Sequence, residues 1–139
     1  MLSNRRELSG FVGKNCIDIG GIPNIIVTFM AVYVKTENSQ ELLDKIKRSI
    51  DDGKIKTWKY DKDGDLYHSP DQWQYKGWLR PYTIDNYLVF GIITPKNDVM
   101  TTLTYAIYHG RFIEMLLDHF DKDFEFVYAS AKKTKYDIF

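Results

Sequence analysis

Most of the groups that could move a proton lie at His68 and in the run Tyr-His-Gly-Arg-Phe-Ile-Glu over residues 108 to 114. A histidine acid, an arginine to hold an anion and a carboxylate to orient the imidazole would suffice for phosphate-ester or acyl chemistry. His109, Arg111 and Glu114 supply those types. On a helix, however, residues two apart project about 160° from one another, so His109 and Arg111 cannot face the same substrate. Arg111 with Glu114 has the spacing of a surface ion pair. An enzymatic reading therefore pairs His68 with His109 as catalytic residues of a small, metal-independent hydrolase or isomerase. A bland reading sets each histidine in or beside the core, hydrogen-bonded and inert.

The stretch Trp-Lys-Tyr-Asp-Lys-Asp-Gly-Asp-Leu-Tyr-His, residues 58 to 68, resembles a calcium loop at first sight, with Asp61, Asp63 and Asp65 at alternate positions. An EF-hand also needs glycine sixth and a bidentate glutamate twelfth; here the glycine is Gly64 and the twelfth residue is Gln72. A hairpin needs only local chemistry: Lys62 and Asp63 in a type I turn, then Gly64 in the left-handed conformation. That register pairs Asp61 with Asp65, Tyr60 with Leu66 and Trp58 with His68, sending indole and imidazole to one face. No metal site is expected.

The segment from Trp58 to Tyr82 holds all three tryptophans. Large flat side chains with a polar handle line binding clefts and interfaces, and they also fill ordinary cores. Trp58, Tyr60, Trp73, Trp78 and Arg80 are the candidate ligand-binding residues, with Arg80 suited to an anionic or planar group. The leading expectation is a non-enzymatic binding or interaction protein that uses this segment as ligand cleft or subunit contact, with a small molecule or a protein as partner and a homodimer as its form. Lys132, Lys133 and Lys135 beside aromatic residues make nucleic acid a third and weaker reading. The phosphate-loop, dinucleotide, zinc-protease and nucleophile-elbow signatures are absent, and no cofactor is implied. Cys16 and Asp18 lack a placed histidine, so an inert thiol is expected there.

Composition narrows the class. The chain has 139 residues, 44% hydrophobic and 15% aromatic, enough for one globular domain over 1–139. Basic and acidic residues number 19 each, so no global field draws it to nucleic acid or anionic lipid. A single cysteine fits a reducing compartment, and the cytoplasm is the expected location. The apolar run Ile25 to Val34 is too short to cross a bilayer, which takes about 20 residues, and the opening residues lack a secretory pattern.

These groups must be positioned by elements the pattern also suggests. Residues 1–24 read as a polar, glycine-rich arm with at most a short extended piece around Cys16 to Ile19. Ile25 to Thr36 is rich in β-branched residues and reads as a central strand. Asn38 with Glu41 makes a capping box for a helix that Gly53 ends. After the 54–68 hairpin, Ser69, Pro70, Gln72 and Gly77 suggest a short helix anchored by Trp73. Trp78 to Ile84 and Tyr87 to Thr94 flank Asp85-Asn86 as a second hairpin, with Pro81 marking an edge or a bulge. Thr101 caps a helix to Phe120, whose apolar arc gathers Leu103, Ala106, Ile107, Gly110, Ile113, Leu116, Leu117 and Phe120, with Thr104, Arg111, Met115 and Asp118 opposite. An arc so wide predicts cover on more than one side, and Gly110 suggests close packing. Phe124 to Ala129 is the last strand. The result is an α+β fold: two main helices on an antiparallel or mixed sheet, ferredoxin-like, with an inserted hairpin and short helix.

Trp-Leu-Arg-Pro at 78–81, Phe-Gly-Ile-Ile at 90–93 and Ile-Tyr-His-Gly-Arg-Phe-Ile-Glu-Met-Leu-Leu-Asp-His-Phe at 107–120 resemble segments of small uncharacterised bacterial proteins. The resemblance spans roughly residues 54 to 131 and implies a bacterial source, with no activity attached.

Overall fold

The computed structural model describes residues 31–132 and 134–138. The chain order is β1 (Val32–Lys35), α1 (Ser39–Asp51), β2 (Trp58–Tyr60), β3 (Leu66–His68), β4 (Trp78–Ile84), β5 (Tyr87–Ile93), α2 (Thr102–Phe120) and β6 (Phe126–Ala129). All six strands join one antiparallel sheet in the order β2-β3-β4-β5-β1-β6. Leaving out β2 and β3, the order β4-β5-β1-β6 with helices after β1 and β5 is the ferredoxin-like arrangement. The inserted hairpin extends its edge. The arm 1–24, with Cys16 and Asp18, and the part of the first strand expected over 25–30 lie outside the described residues.

Local chemistry explains the element ends. The Asn38 side chain accepts the Glu41 N–H at 3.0 Å, and Thr101 does the same for Thr104 at 3.1 Å, each satisfying a donor the helix leaves open. In the β2–β3 turn, Gly64 takes a φ of +87° and the Asp61 carboxylate accepts the N–H groups of Asp63 and Asp65. One carboxylate oxygen thus serves the turn that pairs Trp58 with His68 and Tyr60 with Leu66, in the expected register. Asn86, at φ +60°, turns β4 into β5, where Ile84 opposes Tyr87. Only Leu66↔Leu79 joins β3 to β4, so Pro81 sits where β4 has a ladder partner on the β5 side alone.

Two expectations are corrected. Residues 69–77 form no helix: the Pro70 carbonyl accepts from Trp73 and Gln74, Tyr75 then turns to φ +67°, and the Ser69 hydroxyl donates to Lys56 rather than capping. One turn of chain with a left-handed tyrosine after it cannot propagate. The buried face of α2 is also rotated from the expected arc. It is Tyr108, His109, Phe112, Met115, Leu116 and Phe120 that are buried, whereas Leu103 is 63% and Leu117 51% exposed. Aromatic residues dominate the choice because each buries more area than an aliphatic one.

The main core lies between the helices and one sheet face. It holds Val32, Val34, Leu42, Ile46, Trp58, Leu66, Leu79, Leu88, Phe90, Ile92, Tyr108 and Phe112. Two smaller clusters occupy the other face: Tyr33 and Val89 with Tyr82, Tyr128 and Tyr136, and Trp78 with Ile93, Ile138 and Tyr67. Residues 134–138 cross that face. Ile138 bridges Ile93 in parallel, and the Asp137 carboxylate accepts the N–H groups of Ile92 and Thr134 at 2.7 and 2.8 Å. Among the described residues no helix is long and apolar enough to cross a membrane.

Candidate functional site

The hairpin brings Trp58 and His68 side by side, ring centroids 4.7 Å apart. Trp58 packs edge-on to Phe112 and Tyr108 of α2, so the strand pair is pinned against the helix. The His68 Nδ1 lies 2.9 Å from the Thr57 carbonyl oxygen. A carbonyl can only accept, so in the neutral ring Nδ1 carries the proton and Nε2 keeps its lone pair. Burial lowers the His68 pKa from its ordinary value and Arg111 lowers it further, against the raising effects of the Thr57 bond and of Glu114. The imidazole is neutral at neutral pH.

Beside this ring an open cleft of about 810 Å³ runs between the hairpin and α2. Ile55, Trp58, Ile113, Met115 and Leu117 give it an apolar lining, and Lys56, His68, Arg111, Glu114, Asp118 and His119 its polar groups. Arg111 and Glu114 are therefore gathered with His68 across two elements. His109 does not line the cleft; its Nδ1 lies 2.8 Å from the Tyr105 carbonyl oxygen and its ring meets Tyr105 edge-on. The structure places the two histidines in different surroundings.

The other candidates are divided by the sheet. Tyr60 and Trp73 pack against the main core with Trp58. The Tyr60 hydroxyl donates to Asp51 at 2.8 Å under the Lys47 ammonium, tying the hairpin to the end of α1. The Trp73 carbonyl accepts the Tyr108 hydroxyl at 2.7 Å. Trp78 and Arg80 face the opposite side, because Leu79 between them joins the main core. Trp78 is 1% exposed. Arg80 forms a two-pronged pair with Asp65, at 2.9 and 2.7 Å, and so its guanidinium is already committed. The five aromatic and basic candidates do not share one cleft.

The sequence suggested Arg111 and Glu114 as companions of His109, on the same helix. What it could not supply was the crossing of the hairpin over α2, which gives them His68 instead. Lys56 and His119 carried no signal in the sequence. Among the described residues no group of three or more histidine, cysteine or acidic side chains is placed to hold a metal ion. No family model, curated protein or solved structure matches the chain.

Proposed function

We propose that this is a small binding protein that takes a compact ligand with an apolar body and an anionic head into the cleft between the hairpin and α2. The observation that carries the reading is the meeting of His68, Arg111 and Glu114 at one opening of about 810 Å³, within the size range of small-molecule sites. Arg111 would hold the anion, His68 Nε2 would accept a hydrogen bond, and Ile113, Met115 and Leu117 would cover the apolar body. Balanced charge and a single cysteine support a cytoplasmic protein without a nucleic-acid partner. The test is a screen of aryl and alkyl carboxylates and phosphates by ligand-observed NMR. Binders should move the His68 ring resonances and lose affinity about tenfold in Arg111→Gln. If no such compound binds, or if binders ignore both residues, the reading fails.

A second reading keeps the site and adds chemistry, because the Thr57 carbonyl fixes the tautomer that leaves His68 Nε2 basic. In that case His68 takes the place first considered for His109, but as the base of a small hydrolase or isomerase, with Arg111 as the anion clamp. Turnover of an activated ester that survives His109→Gln and is lost in His68→Asn would favour it over simple binding.

A further inference from the structure

The exposed side of α2 is mostly apolar, with the exposed Glu114 within it. At 100° per residue, Leu103, Ala106, Ile107, Ile113, Glu114 and Leu117 fall within about 60° of Gly110, with Ile113 at the margin packing partly against the main core. Leu103 and Leu117 are largely exposed, and among the described residues a Cβ at Gly110 would meet nothing within 4 Å. Close packing among the described residues is therefore not what this glycine serves, although it costs a helix interior about 1 kcal/mol relative to alanine.

Its leucines and isoleucines read the same in both directions: Leu103 and Leu117 stand seven residues either side of Gly110, and Ile107 and Ile113 three, while the small Ala106 stands opposite Glu114 at four. A twofold axis through Gly110 would set each leucine on its opposite number and let two helices approach where neither has a side chain. Charge selects the direction. The first turn of α2 has no acidic residue, and the segment 102–110 has no charged one, while Glu114 and Asp118 lie toward the far end. In an antiparallel pair both carboxylates approach the positive end of the other helix; in a parallel pair they would face their own copies.

We infer that a second copy of this chain docks along α2, antiparallel, with Gly110 at the axis. The inference does not rest on the ligand reading, but the two compete for one surface, because Gly110, Ile113 and Leu117 also border the cleft. The full chain should sediment as a dimer in the range of about 1 to 100 μM. Leu103→Glu and Leu117→Glu place charge where the side chains already meet water, so each should leave the circular dichroism intact and shift the protein to monomer. Orientation is read by crosslinking in a Cys16→Ser background. Gly110→Cys should oxidise to a covalent dimer by itself, and Leu103→Cys should do so only when mixed with Leu117→Cys. A monomer throughout that range, a dimer indifferent to both glutamates, or self-crosslinking of Leu103→Cys would overturn the inference.

Discussion

Two side chains show how environment decides what a residue can do. His68 is 3% exposed, and burial lowers its pKa. As pH falls, the unfolded chain therefore takes up this proton before the folded one does. Stability owing to His68 is constant above the ordinary histidine value of about 6.5 and declines as pH drops from there toward the lower folded value. Urea unfolding followed from about pH 8 to about pH 5 should show a decline that is smaller in His68→Phe. The substitution spares the Thr57 carbonyl, which also accepts the Ser69 N–H at 2.8 Å. An unchanged slope in the variant would mean His68 is not the group responsible. Arg80 is the second case. Its partner Asp65 is 1% exposed, so Arg80→Met removes the cation facing a buried carboxylate and should cost about 3 kcal/mol. Adding Asp65→Asn should restore part of the loss, a double-mutant comparison readable from the same urea curves.

The elements that sequence foretold well are those whose ends are written in local chemistry. Asn38, Thr101 and Gly64 each do their work within a few residues, and α1, α2 and the 61–65 turn fall where those residues place them. The buried side of α2 was not readable in the same way, because apolar side chains surround most of the helix and only the partner surface selects among them. The same limit applied to the cleft. Alternation told that Trp58 and His68 share a face, but not that Trp78 and Arg80 lie behind it, since a strand's facing depends on its register with a neighbour. The C-terminal segment was also invisible: nothing in its short polar sequence announces that it lies across β5. It depends on Gly91, where a Cβ would overlap the Tyr136 carbonyl group. Gly91→Ala should therefore lift residues 134–138 from the sheet and cost about 3 kcal/mol. Hydrogen exchange would detect it at Thr94, whose N–H donates to the Ile138 carbonyl, while the α1 amides keep their relative protection.

The inserted hairpin raises a question about how the domain coheres. Strands β4, β5, β1 and β6 with two helices already form a complete sandwich, and a single residue pair, Leu66↔Leu79, joins the insertion to that sheet. By backbone pairing alone the hairpin is an appendage that could open by itself. Its side chains imply otherwise. Trp58 is 1% exposed, meets Phe112 with ring centroids 5.0 Å apart, and Phe112 in turn meets Phe90 of β5 at 4.5 Å. An aromatic chain thus runs from the insertion through α2 to the middle of the sheet, so opening the hairpin would uncover the centre of the main core. Trp58→Ala should cost about 4 kcal/mol and do so for the whole domain. The expected signature is one cooperative urea transition, moved to lower denaturant with little change in slope. Exchange protection should fall together in β5, α2 and the hairpin. Loss confined to residues 58–68, with β5 and α2 protected as before, would show that the insertion folds onto a core that does not need it, and the cleft beside His68 would then rest on a mobile wall.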